Sequence, residues 1–174
     1  MPAAGEADNG HCSGWMLEAP QLWRKLDEGL MMQPMRVNDD ITVCGAINVY
    51  DVAAIKAAGF RSIVCNRFDG EDPGQTAFSE IEAAAISHGL TVAWQAVGGM
   101  VADDDGVEFG QVVDGLPKPV FAYCRAGTRC IVLWSLSQAG RLPTDEIISQ
   151  AANAGYDLRG LVPRIEALAA QRGK

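Results

Sequence analysis

The sequence predicts a three-layer α/β fold, in which a mainly parallel sheet of four to five strands carries helices on both faces. Short apolar segments alternate along the chain with segments of helical periodicity. The apolar segments contain few polar residues, as strands buried on both faces do. Helices of about 10–15 residues between such strands favour right-handed crossovers and parallel pairing.

The predicted elements follow one another from residue 41 onward. The strands are 41–44, 62–65, 91–97 and 120–123. The helices are 51–58, 78–87, 107–116, 129–139, 144–154 and 161–170. Gly59 and Gly89 stand where the first two helices end, a position at which glycine is common. A further amphipathic helix is predicted at 20–32.

The composition and the net charge indicate how the chain is organised into domains and which classes of function they argue against. With 48% hydrophobic and 21% charged residues the chain should be globular. We expect a flexible leader over 1–19, where small and polar residues predominate, and a single domain over 20–174. The net charge of -8 argues against nucleic-acid partners, and no apolar run approaches the ~20 residues of a membrane span.

The cysteines indicate chemistry rather than a disulfide scaffold. Their number is odd, five, and no secretory signal precedes them, so we expect a reducing, cytoplasmic environment. No Cys/His pair has zinc-site spacing and no nucleotide motif is present, so neither a metal nor a cofactor is expected. The remaining partners are a small anionic substrate or a sulfur donor and acceptor, with homo-oligomers left open.

The strongest functional signal is the segment Cys124-Arg125-Ala126-Gly127-Thr128-Arg129, hereafter the anion loop. It joins an apolar strand to a helix, so it should lie at the carboxyl edge of the sheet, where open α/β folds place their sites. The following helix directs its N-terminal amides at the loop, and Gly127 lets the backbone bend into an anion nest. Such a setting stabilises a cysteine thiolate, and Arg129 can grip two anion oxygens.

A family resemblance rests on several segments together. These are Ile41–Gly45, AGFRSIVCNRFDGE ending at Glu71, Gln75, YCRAGTRC at 123–130 and GYDL at 155–158. The chain, from about Val37 to Leu168, resembles the bacterial β-lactamase-hydrolase-like phosphatase-like family, a branch of the tyrosine and dual-specificity phosphatase superfamily. The resemblance implies a dual-specificity-phosphatase-like fold and a phosphatase-like hydrolase in which Cys124 is the nucleophile and Arg129 binds phosphate.

Three features depart from the common phosphatase signature. Tyr123 replaces the histidine before the nucleophile, and Cys130 replaces the Ser or Thr that follows the arginine. Arg129 stands five positions after Cys124, whereas protein tyrosine phosphatases place it six after. The shorter ring resembles the active loop of rhodaneses, which carry a persulfide.

Three functions therefore stay open. A phosphatase would form a phosphocysteine and needs an acid for the leaving group. Asp103 is the first choice and Asp105 the second, both in the predicted loop 98–105, where capping of the next helix is the alternative role. A sulfurtransferase would carry sulfur on Cys124, with Cys130 as a relay, a disulfide partner or a small buried residue. An inactive relative would only bind an anionic ligand.

The charged segment after the second strand is a further part of the predicted site. It should reach the same sheet edge as the anion loop. Arg67 could extend the anion site, and Asp69 or Glu71 could orient an arginine through a salt bridge. The alternative is a charged turn, since Asp-Gly is strong turn chemistry.

Overall fold

A computed structural model describes residues 32–174 as an α/β structure with one central sheet. Its elements in chain order are β1 (Met35–Arg36), β2 (Ile41–Cys44), α1 (Val49–Ala57), β3 (Ser62–Cys65), α2 (Phe78–Ser87), β4 (Thr91–Trp94), α3 (Asp103–Asp114), β5 (Val120–Tyr123), α4 (Thr128–Ser137), α5 (Thr144–Asn153), a 3-10 turn (Arg159–Leu161) and α6 (Val162–Arg172). None of the helices described here is long and apolar enough to cross a membrane.

The sheet has the order β1-β2-β5-β3-β4, in which β1 is antiparallel and the other strands are parallel. β5 lies in the middle, and its last residue, Tyr123, is in register with Cys44 of β2 and Cys65 of β3. The connections that leave these three strands therefore start from one row at the carboxyl edge of the sheet. This register brings distant parts of the sequence together around residue 124.

Helices cover both faces of the sheet, as the sequence predicted. Alternate residues of β5 enter two separate hydrophobic cores. Val120 and Ala122 pack on the side of α3, α4, α5 and α6. Phe121 and Tyr123 pack on the side of α1 and α2. The three-layer fold class is thus confirmed, with five strands.

The boundaries differ from the predicted ones where capping and charge determine them. α1 begins at Val49 rather than 51, because Asn48 and Asp51 form a reciprocal capping box. α3 begins at Asp103 rather than 107: its first turn holds three aspartates, which suit the positive end of a helix, and Asp105 accepts a bond from the Ala102 N–H.

Strand lengths differ as well. β4 ends at Trp94 rather than 97, although Gln95 N–H and Val97 N–H still donate to carbonyl groups that follow β3 or end it. β1 has two residues, too few to give a sequence pattern. The predicted leader and the helix at 20–32 lie outside the described residues, apart from Met32, which is not helical.

Candidate active site

The anion loop leaves the middle of the sheet edge and is fixed by β2. Cys124 N–H donates to the Cys44 carbonyl at 3.2 Å, and Ala46 N–H donates to the Arg125 carbonyl at 3.1 Å. Cys124 itself is 1% exposed, while Arg125, Ala126 and Thr128 are exposed. The loop is therefore a shallow ring open to solvent, with the cysteine at its floor.

Gly127 makes the turn from the loop into α4. Its φ of +84° is in the left-handed region that favours glycine, and a Cβ at this position would collide with the Tyr156 hydroxyl. In this conformation Gly127 N–H donates to the Cys124 Sγ at 3.1 Å. The glycine is thus required both for the backbone turn and for the contact with the sulfur.

The site lowers the pKa of Cys124 to about 5. A hydrogen bond from the Cys130 thiol contributes most, burial opposes it, and the backbone N–H groups of Cys130, Ala126 and Gly127 add to the lowering. The first turn of α4 supplies part of this set, as the positive end of a helix should. Cys124 is accordingly a thiolate at neutral pH.

Cys130 behaves in the opposite way to Cys124. Burial, and then the neighbouring Cys124, raise its pKa well above the usual value for a thiol. Its Sγ also lies 3.4 Å from Asn66 Oδ1, which can accept the single S–H proton in place of the Cys124 sulfur. Cys130 is therefore a neutral S–H donor in the position where the common signature has a hydroxyl.

The other described cysteines are ordinary core thiols. Burial raises the pKa of Cys44 to about 12 and raises that of Cys65. Tyr123 is 3% exposed and burial raises the pKa of its phenol too. Cys12 lies outside the described residues. Among residues 32–174 the thiol with a lowered pKa is therefore Cys124.

Arg129 is held by three hydrogen bonds. Its Nη1 and Nη2 donate to the two Glu71 carboxylate oxygens at 2.7 and 2.6 Å, and Nη1 also donates to the Val97 carbonyl at 2.7 Å. The same contact lowers the pKa of Glu71 to about 2. Of the five guanidinium N–H groups, the one on Nε and one on Nη2 have no acceptor within 32–174. These two point along one edge and form a fork for two anion oxygens.

Arg67 lies behind these groups rather than at the loop surface. It is 2% exposed, its Nη2 donates to Asp72 Oδ2 at 2.7 Å, and its Nε is 3.3 Å from Glu71 Oε2. Asp72 in turn pairs with Arg125 at 3.0 Å. Arg67 therefore does not extend the anion site directly, because a buried arginine must keep its charge paired. It holds the two carboxylates that contact the loop arginines.

Asp72, rather than Asp69, is the aspartate that contacts a loop arginine. Asp69 accepts a bond from Phe78 N–H at 2.8 Å, at the start of α2, and none from Arg125 or Arg129. Asp72 was not singled out from the sequence. Its position next to Glu71, one residue further into the same acidic segment, is the signal that could have identified it.

Asp103, the first candidate for the acid, is paired with an arginine. It stands in the first turn of α3, and its Oδ1 accepts bonds from Arg164 Nε and Nη2 at 2.9 and 2.6 Å. Arg164 Nη2 also donates to the Val101 carbonyl at 2.8 Å. Asp105 caps the same helix. Arg164 is a partner that the sequence did not suggest, and both of its bonds to Asp103 go to Oδ1, so Oδ2 has no hydrogen-bond partner within 32–174.

Two cavities flank the anion loop. One, of about 390 Å³, borders Arg125 and Ala126 and is lined on its other sides by Tyr156, Met35 and residues 44–46 at the end of β2 and just after it. The other, of about 260 Å³, borders Thr128 and Arg129. A ligand bound at the ring thus has room on either side.

Comparison with known proteins gives the family and the fold. The family described as the phosphatase-like domain of β-lactamase hydrolase-like proteins matches residues 35–141. A β-lactamase hydrolase-like protein of Agrobacterium fabrum is 33% identical over 130 residues, which cover 73% of this chain and 30% of the relative. The chain thus spans about a third of the length of this curated relative.

Solved structures agree with this relationship. A Neisseria meningitidis protein described as a candidate phosphatase is 31% identical, with a TM-score of 0.68 over 77% of this chain and 96% of that one. The P. aeruginosa protein TpbA, solved as a cysteine-to-serine variant in complex with phosphotyrosine, shares the fold at 11% identity and a TM-score of 0.51, over 82% and 98% of the two chains. These similarities support an enzyme of the phosphatase type.

Proposed function

We propose that this chain, which belongs to the phosphatase-like family of β-lactamase hydrolase-like proteins, hydrolyses small phosphate monoesters through a phosphocysteine on Cys124. The observation that carries the proposal is the environment of Cys124. A thiolate with a pKa of about 5 lies at the floor of a ring of N–H groups and beside the arginine fork. Phosphotyrosine in the distant relative TpbA supports an anionic substrate of this class.

The first chemical step is an in-line displacement. The Cys124 sulfur attacks phosphorus, the S–P bond forms, and the P–O bond to the leaving group breaks. The N–H groups of the ring and the free edge of Arg129 bind the non-bridging oxygens, where negative charge must be stabilised. Glu71 keeps the Arg129 guanidinium in one orientation. The arginine therefore loses little conformational freedom when it binds the transition state.

The second step returns the enzyme to its starting state. Water attacks phosphorus, the S–P bond breaks, and the sulfur leaves as a thiolate while inorganic phosphate is released. The Cys130 S–H stabilises this leaving thiolate by the hydrogen bond that already lowers the pKa of Cys124. In this role the thiol replaces the hydroxyl of the common signature.

A proton must also reach the leaving oxygen in the first step. We assign this role to Asp103, which begins α3 beside the connection that follows β4. Arg164 occupies only Oδ1 of the Asp103 carboxyl, so Oδ2 is the oxygen that would deliver the proton while the contact with Arg164 is kept. Asp103→Asn should then lower turnover of esters with poor leaving groups more than esters with good ones, because good leaving groups need less protonation.

The experiment that tests the proposal follows the mass of Cys124. Incubation with an aryl phosphate and rapid acid quenching should add one phosphate to the peptide that contains Cys124. Cys124→Ser should show neither the adduct nor turnover, and Cys65→Ser is the matched control because its thiol is buried and its pKa is raised. Turnover that persists in Cys124→Ser would reject the nucleophile.

Sulfur transfer is the second candidate, and the ring length favours it. Arg129 stands five positions after Cys124, as in the active loop that this ring resembles. In that reaction the Cys124 thiolate takes the sulfane sulfur of thiosulfate, sulfite leaves, and cyanide then removes the sulfur as thiocyanate. The same quenching experiment with thiosulfate would add one sulfur to Cys124. A protein that binds phosphate but gains neither group would be an anion-binding module.

A further inference from the structure

The cavity of about 260 Å³ beside Arg129 differs in charge from the molecule around it. Both of its charged lining residues are arginines, Arg129 and Arg164, and no carboxylate lines it. The whole chain carries a net charge of -8. Both arginines are paired with carboxylates outside the lining, Glu71 and Asp103, so what the cavity offers an anion is their remaining guanidinium N–H groups rather than an unpaired charge.

We propose that this cavity binds a second anionic group of the substrate, and that Arg164 is the residue that recognises it. The inference rests on the proposed phosphatase function and specifies its substrate class. That class is small phosphate monoesters with a compact apolar body that carries a carboxylate or a second phosphate.

The donors of Arg164 support this role. Nε and Nη2 are occupied by Asp103 and by the Val101 carbonyl. The two N–H groups of Nη1 have no acceptor in the described part of the chain. The side chain is 40% exposed, so a ligand can reach it. Asp103 and Val101 therefore hold the guanidinium in place while one end stays available.

The position of the cavity links it to the reaction site. Arg129 belongs both to the anion ring and to the cavity wall, so a molecule held by the ring can extend directly towards Arg164. The remaining walls are largely apolar, formed by Met100, Val101, Val132 and Leu161. Met100 is 95% exposed, and an apolar substrate body would cover it.

Kinetics with paired esters test the inference. Carboxyphenyl phosphates, substituted at position 3 or 4, are compared with the carbamoylphenyl phosphates of the same shape but without the charge. The wild type should show a KM about three- to tenfold lower for the better-fitting carboxylate than for its amide, as a partly exposed charge-assisted hydrogen bond gives. Arg164→Gln should bring this ratio close to one, and Arg164→Lys should retain part of it.

The ratio of the two KM values distinguishes lost recognition of the carboxylate from a general loss of activity. A change at Arg164 that disturbs Asp103 alters both esters of a pair equally and leaves the ratio unchanged. Arg159→Gln is the matched control, because Arg159 is exposed and pairs only with its neighbour Asp157 within the described structure. Calorimetric titration of Cys124→Ser with the same esters gives the ratio of their dissociation constants without turnover. The double variant Cys124→Ser/Arg164→Gln should lose this preference for the carboxylate ester, as Arg164→Gln does in the kinetic measurement.

Distinct outcomes overturn the second-anion site and the phosphatase proposal. Equal KM values for each pair in wild type, or a ratio unaffected by Arg164→Gln, would overturn the second-anion site while turnover itself stands. A ratio lost in Arg125→Gln instead would assign the second group to the other cavity and also overturn the inference. No turnover and no binding of any ester would overturn the phosphatase proposal.

Discussion

The Cys124–Cys130 pair shows how a single side chain sets the reactivity of the site. The pKa of Cys124 is about 5 chiefly because the Cys130 thiol donates to it. Cys130→Ala removes this donor, and loss of a hydrogen bond to a charged group should raise the pKa of Cys124 by about one unit or more. The alkylation rate of Cys124 by iodoacetamide, measured against pH by peptide mapping, should shift its midpoint upward accordingly.

Cys130→Ser provides the control for this prediction. A hydroxyl restores a donor of similar size, so the midpoint should return towards that of the wild type. An alanine variant whose Cys124 is alkylated with the wild-type midpoint would contradict the role of the thiol. It would leave the backbone N–H groups of the ring as the source of the low pKa.

At the residue scale, the sequence predicted the candidate nucleophile and a salt bridge from Glu71 to an arginine, but not the pairing of Asp72 with Arg125 or of Asp103 with Arg164. Cys124, Gly127 and Arg129 lie within six consecutive residues, so local spacing and backbone conformation were enough to predict the anion loop. The contacts of Glu71 with Arg129 and of Asp103 with Arg164 span 58 and 61 positions. The first pair was within reach of the sequence because both residues follow strands that end at the same sheet edge, whereas the second depends on how α3 and α6 pack together, which the sequence pattern does not contain.

At the scale of elements, the connection after β3 acts as a support for the anion loop. Glu71 holds Arg129 by two hydrogen bonds, and buried Arg67 lies beneath Glu71 and Asp72. Glu71→Gln keeps the size but removes the charge, so Arg129 loses its bidentate partner. We expect kcat/KM for an aryl phosphate to fall about ten- to a hundredfold.

A matched substitution distinguishes the loss of the Glu71–Arg129 contact from the effect of removing any carboxylate. Glu166→Gln on α6 changes an exposed glutamate and should leave kcat/KM unchanged. Glu71→Asp keeps the charge and should recover part of the loss. Activity of Glu71→Gln within twofold of the wild type would mean that the loop alone positions Arg129.

Element boundaries were predicted least well where side chains cap helices. The core segments of β2, β3 and β5 were placed correctly because buried parallel strands are short and apolar. The three aspartates before residue 106 were interpreted as a loop, although they form the first turn of α3. Charge that stabilises a helix terminus is easily mistaken for a solvated loop, and this moved the candidate acid Asp103 from a loop onto a helix.

At the scale of the whole molecule, the lowered pKa of Cys124 should make the free energy of unfolding depend on pH. The pKa of Cys124 is about 5 in the folded protein, against an ordinary value of 9.0. Between these values the unfolded chain binds the proton that the folded protein has lost, so stability rises with pH. The contribution is complete above about pH 9 and disappears as pH falls through about 5.

Chemical denaturation of wild type and Cys124→Ser at several pH values measures this linkage. Between pH 6 and 8 the free energy of unfolding of the wild type should rise by up to ~1.4 kcal/mol per pH unit more steeply than that of the variant. Other titrating groups are common to both proteins and cancel in the difference. Cys65→Ser should run parallel to the wild type, because the raised pKa of Cys65 leaves that thiol neutral in this range. Parallel curves for wild type and Cys124→Ser would show that the folded protein does not stabilise the thiolate, and the proposed nucleophile would lose its physical basis.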